Sequence, residues 1–146
     1  MQKTSDIILD MFKENKGTVE IVTLQGKKHD FKLSKNGLYI ESQTALRNQK
    51  LGLDCFDIVV ELLKNNNGRA SKGNGRGKEN KVGEGNCNEN TVCGYIAIKY
   101  YGHSKGQSTF DPIFAISAIL ERAGICKNER GWIELTLPRK TIQLRL

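Results

Sequence analysis

The sequence predicts an α+β protein. A small antiparallel meander sits behind an N-terminal helix, and a three-helix-and-hairpin unit follows. Three observations predict this. Apolar side chains recur at helical spacing near the start, the middle and the end of the chain. Between the first two of these stretches the period switches to alternation, punctuated by Gln25-Gly26 and Asn36-Gly37. The last helical stretch stops at Ala123-Gly124, turns through polar residues and returns as an alternating strand.

In chain order, residues 4–15 place Ile7, Ile8, Met11 and Phe12 on one helical face, with Thr4 or Ser5 as the cap and Gly17 as the stop. Residues 18–41 read as a three-stranded meander. Val19, Ile21, Val22 and Leu24 form its first strand, Phe31 and Leu33 mark its second, and Leu38, Tyr39 and Ile40 its third. Residues 42–52 are polar and irregular. Asp54 then caps a second helix to Lys64, carried by Phe56, Val59, Val60 and Leu63.

Asn65 to Asn90 holds eight asparagines and six glycines and almost no large apolar side chain. Such a segment buries too little surface to offset its ordering entropy, so a long flexible loop is expected. Thr91 to Tyr101 suits a capped helix ending near Gly102, but Val92, Ile96, Ile98 and the tyrosines also suit a buried strand; the helix is the reading taken. Asp111-Pro112 starts the next helix, whose stripe is Ile113, Ile116, Leu120 and Ala123. Trp132, Glu134 and Thr136 then alternate against Ile133, Leu135 and Leu137. Pro138 interrupts this strand, and Ile142, Leu144 and Leu146 suggest a final edge strand.

The expected organisation is a helix plus meander over 1–45 and a second unit over 53–146 containing the loop 65–90, or one integrated domain. The meander is too small to stand alone, so it packs on the helical part or pairs across a homodimer.

Composition narrows the function. The chain has 146 residues and a net charge of +7, which favours phosphate or other acidic partners. No stretch approaches the roughly 18 apolar residues of a membrane span. The first residues lack the apolar run of a signal peptide, so a cytoplasmic protein with no membrane partner is expected. None of the four cysteines forms a C-x-x-C pair, and His29 and His103 lie far apart. No zinc-ligand spacing is present, and no metal or other cofactor is expected. Cys55 and Cys126 sit in apolar segments and read as buried thiols.

The charge is concentrated. Lys64, Arg69, Lys72, Arg76, Lys78 and Lys81 stand against Glu79 alone in the stretch 64–81. A basic segment of this kind binds phosphate backbones by counterion release, without reading sequence. The run Gly73 to Lys78 is not a nucleotide loop. A Walker pattern needs glycine at position 72, where Lys72 stands, and Ser or Thr at position 79, where Glu79 stands.

The run from Ile119 to Thr136 has a helix closing on Ala-Gly, a basic turn with Arg130-Gly131 and an aromatic leading into a strand. It resembles the end of the winged-helix N-terminal domain of Mrr-type restriction proteins. Ile58 to Ala70 is similar to that domain's opening helix and bend, so the resemblance covers about residues 54–137. It implies three helices (54–64, 91–101 and 112–123), a wing from Cys126 to Leu137, and binding of double-stranded DNA. Phosphate contacts then fall to Arg69, Lys72, Arg76, Lys78, Lys81, Lys127 and Arg130, with Arg139, Lys140 and Arg145 on the tail. Ser117 and Arg122 are the candidates for base edges. The third helix is short of basic and polar side chains compared with that family's reading helix, and the Asn/Gly loop is longer than its first connection.

Two other readings stand beside this one. A protein-interaction or assembly module would use the apolar third helix or a meander edge. A metal-dependent nuclease would draw on Asp30 and Lys32, which alternate on one strand, but no second acid is placed to complete a site. No catalytic residue is assigned.

Overall fold

The computed structural model describes residues 2–23 and 25–136. The expected edge strand at Ile142, Leu144 and Leu146, with Leu24, Leu137, Pro138, Arg139, Lys140 and Arg145, lies outside the described residues. The chain is α+β, with four α-helices and two antiparallel sheets among the described residues. It divides into two compact units, Met1–Asp57 and Ile58–Leu146.

The first unit opens with helix α1, Thr4–Glu14, which buries Ile8 and Phe12. Its cap differs from expectation. Neither Thr4 nor Ser5 caps it, because both already lie within the helix and Lys3 occupies the capping position. The Ser5 N–H instead donates to the Asp57 carboxylate at 2.8 Å, a more remote way of satisfying a first-turn donor.

Strands β1 (Thr18–Val22), β2 (Lys28–Leu33), β3 (Tyr39–Glu41) and β4 (Lys50–Gly52) follow. They pair in sequence order as an antiparallel meander of four strands, not three. The extra strand comes from the stretch read as irregular. Ser42 is buried and its carbonyl accepts the Leu46 N–H at 3.1 Å, Leu46 is buried, and the chain turns through positive φ at Arg47 and Asn48. That turn returns Lys50–Gly52 to β3, with Leu51 opposite Ile40. Phe31, Ile40 and Leu51 are all fully buried.

Helix α2, Asp54–Asn65, begins at Asp54 itself. It ends in a turn with positive φ at Asn67 and Gly68. In the second unit the order is then β5 (Arg69–Ser71), a 3-10 turn at Gly85–Cys87, α3 (Val92–Lys99), α4 (Ile113–Arg122), β6 (Cys126–Glu129) and β7 (Trp132–Leu135). The sheet order is β5-β7-β6, so the strand after α2 pairs antiparallel with the last described strand.

The stretch Thr91–Tyr101 forms helix α3, Val92–Lys99, and no strand. The Gly94 N–H donates to Thr91 Oγ1 at 3.0 Å, as a side-chain cap does. Before α4, Asp111 Oδ1 accepts the Ile113 N–H at 3.2 Å. The buried side chains of this unit include Val59, Leu63, Ile96, Ile116, Ile119, Leu120 and Ile133.

Candidate nucleic-acid interface

The hairpin sheet has an inner and an outer face, fixed by alternation along each strand. Ala70, Ile133, Cys126 and Leu135 are buried on the inner face. The outer face carries two cross-strand rows. Arg69 of β5, Glu134 of β7 and Lys127 of β6 form one; Ser71, Trp132 and Glu129 form the other. The Arg69 guanidinium lies over the Trp132 ring, 3.8 Å from its centroid, a cation–π arrangement. Each of the two rows therefore includes a carboxylate, and Lys127 is not an isolated cation. Arg130 is exposed at the hairpin tip.

Lys72 has a structural place. Its N–H donates to the Gly131 carbonyl at 2.9 Å, and its ammonium donates to Asn128 Oδ1 at 2.5 Å. The Asn128 N–H donates in turn to Glu121 at 3.2 Å. Burial lowers the Lys72 pKa, while the Glu121 and Glu129 carboxylates oppose that shift. This lysine joins the end of β5 to the hairpin and to the last turn of α4, so its ammonium is not presented to a phosphate.

The Asn/Gly-rich segment, expected from composition to be a long flexible loop, carries a network of its own hydrogen bonds. Asn80 is buried; its side chain donates to the Arg76 carbonyl at 2.6 Å and accepts from the Asn86 N–H at 2.8 Å. Asn74 accepts from the Arg76 N–H, and Asn88 from the Asn90 N–H, both two residues on. Val82 and Cys87 are fully buried. The loop is also tied to the α3–α4 connection. Gly75 N–H donates to Asp111 at 3.1 Å, Val82 N–H to the Gln107 carbonyl at 2.9 Å, and Gly106 N–H to the Val82 carbonyl at 2.9 Å. At Gly85, with φ of 51°, a Cβ would collide with the Glu79 carbonyl oxygen. Side-chain amides and glycine conformations thus replace the apolar surface this segment lacks.

Within the loop, Arg76 and Lys78 are exposed. Lys81 is half-buried and its ammonium donates to Ser108 Oγ at 2.5 Å.

Helix α4 offers little to base edges. Residues Ala115 to Leu120 are all buried, and Ser117 is only 1% exposed. The reading of Ser117 as a base contact is therefore corrected: α4 is enclosed on every side over this stretch, so no polar stripe remains. The Ser117 hydroxyl has no hydrogen-bond partner among the described residues. Arg122 is exposed in the last turn and is already engaged within the protein.

The other candidate groups do not assemble. Asp30 and Lys32 are exposed on β2, with Asp30 opposite Glu20. His29 Nδ1 lies 2.7 Å from Thr44 Oγ1. No group of three or more His, Cys, Asp or Glu among the described residues could hold a metal ion. Cys55 and Cys126 are buried as expected, and burial pushes the Cys126 thiol up to about 12. Cys87 and Cys93, unpaired by any motif, meet with sulfurs 3.2 Å apart. No described helix is long and apolar enough to cross a membrane. No protein family, curated protein or solved structure matches the chain.

Proposed function

We propose that Ile58–Leu146 is a winged-helix-like module, akin to the N-terminal domain of Mrr-type restriction proteins, that binds double-stranded DNA through its phosphates without reading bases. The observation that carries this is the distribution of charge. Met1–Asp57 holds nine basic and eight acidic side chains, whereas Ile58–Leu146 holds fourteen basic and eight acidic. The element order supports it: helix, strand, two helices, then a hairpin whose second strand lies beside the first strand, as β5-β7-β6. The exposed loop residues Arg76 and Lys78 and the hairpin-tip Arg130 are the phosphate contacts of this reading. Arg69 and Lys127 contribute less, because Glu134 stands between them. Enclosure of α4 leaves the base edges without a reader.

The test is a titration of the full chain with two duplexes of unrelated sequence at low salt. Equal, salt-sensitive affinities support the reading; strong preference for one sequence, or no binding to either, contradicts it. A protein-interaction module is the second reading, favoured by the first unit. There Leu38 is 59% and Val22 54% exposed, and Leu38 borders a groove with Leu9, Leu53 and the carboxylates Asp6 and Asp54. A stable oligomer lacking DNA affinity would favour it.

A further inference from the structure

Two of the four cysteines are held together by the chain around them. Cys87 ends the 3-10 turn of the Asn/Gly loop, and Cys93 lies in the first turn of α3. Both are fully buried, with Sγ atoms 3.2 Å apart. Backbone bonds fix each side: Cys87 N–H to the Glu84 carbonyl and Gly83 N–H to the Cys87 carbonyl, both 2.9 Å, and Cys93 N–H to the Lys72 carbonyl, 3.1 Å. Gly94 lets the two segments close, because a Cβ there would collide with the Asn88 carbonyl oxygen. A sulfur–sulfur bond of about 2.05 Å needs only a small further approach of the two side chains.

We propose that Cys87 and Cys93 are a modification site that a peroxide converts to a reversible intramolecular disulfide, fastening the Asn/Gly loop to α3. One cysteine, as its thiolate, attacks a peroxide oxygen and breaks the O–O bond, giving a sulfenic acid and hydroxide. The second sulfur attacks the sulfenic sulfur, its proton leaves with the departing hydroxyl as water, and the S–S bond forms. Two thiols and one hydrogen peroxide give one disulfide and two waters, and a thiol reductant reverses the change. Burial, and then the Asp111 carboxylate, disfavour both thiolates, while the hydrogen bond with Cys93 partly offsets this at Cys87. The oxidation is therefore slow at neutral pH and quickens as pH rises. The alternative, two inert thiols filling a gap in the core, predicts no such chemistry. Nothing in this proposal depends on DNA binding.

The experiment treats the full chain with hydrogen peroxide, alkylates the remaining thiols in denaturant and maps the peptides. The tryptic peptide Val82–Lys99 contains both cysteines. The expected product is this peptide unalkylated and lighter by two hydrogens, its halves still joined after cleavage at Glu89 until reductant is added. Cys55 and Cys126 remain alkylatable. Cys93→Ser abolishes the joined product; if that variant does not fold, the wild-type map alone decides. Full alkylation of Cys87 and Cys93 after peroxide, over-oxidation of either without joining, or pairing with other cysteines would overturn the proposal.

Discussion

Lys127 of β6 is the direct cross-strand partner of Glu134 of β7, and Arg69 of β5 is the partner on Glu134's other side. The carboxylate sits between two cations on the outer face of the hairpin sheet and offsets their field. Replacing it should release that field. Glu134→Gln is expected to tighten duplex binding at low salt by up to about fivefold, roughly 1 kcal/mol for one charge near a hydrated surface. The gain should vanish as salt rises. Unchanged affinity at low salt would place the DNA away from this sheet face.

Ser117 separates a reading helix from an enclosed one. Its hydroxyl is buried without a partner among the described residues, so Ser117→Ala removes an unmet polar group at little packing cost. The variant is expected to be as stable as the parent or more stable, by up to about 1 kcal/mol in urea unfolding, because deleting an unsatisfied polar group can be neutral or stabilising. Its DNA affinity should not change. A large drop in affinity with stability intact would restore Ser117 as a contact.

Gly94 should reverse a familiar rule. Alanine in a helix interior normally stabilises by about 1 kcal/mol relative to glycine. Here the added Cβ would run into the Asn88 and Cys87 carbonyl oxygens. Both are backbone, so the loop must move. Gly94→Ala is expected to destabilise by roughly 1–3 kcal/mol, the usual cost of overpacking, read as a lower urea midpoint at unchanged slope.

Much of this fold is legible in the chain. Gly17 and Gly124 follow the ends of α1 and α4, and Ile133 and Leu135 alternate into the core as expected. What escapes does so for physical reasons. Three residues, Lys50–Gly52, are too few to show alternation, and their strand depends on the turn through Ser42 and Leu46. Asparagine and glycine signal disorder by composition, yet Asn80 uses the same polarity to bind its own loop. A helical stripe implies an outer face for Ser117; α4 has none over that stretch. The meeting of Cys87 with Cys93, and of Lys127 with Glu134, depends on loop closure and register, which spacing alone does not fix.

Tyr95 gives a pH signature. Its hydroxyl donates to Glu61 at 2.6 Å, and this bond, with burial and the carboxylate charge behind it, raises the phenol from 10.0 to about 12. Because the folded pKa is raised, the stabilisation is complete below pH 10 and disappears as pH climbs through about 12. A titration of phenolate absorbance should show the Tyr95 step late in the parent. Glu61→Ala should return it toward the ordinary value, and Tyr95→Phe should delete that step. A parent profile lacking the late step would contradict the Tyr95–Glu61 bond.

In the proposed function the exposed cations of the Asn/Gly loop and hairpin tip, Arg76, Lys78 and Arg130, hold phosphates. The slope of log affinity against log salt for a duplex, compared between the parent and alanine variants at these three positions, measures this directly. Each alanine should make the slope shallower by about 0.9, the share of a single neutralised phosphate, whatever the DNA sequence. Slopes that stay unchanged in all three variants, or a parent that does not bind at low salt, would contradict it.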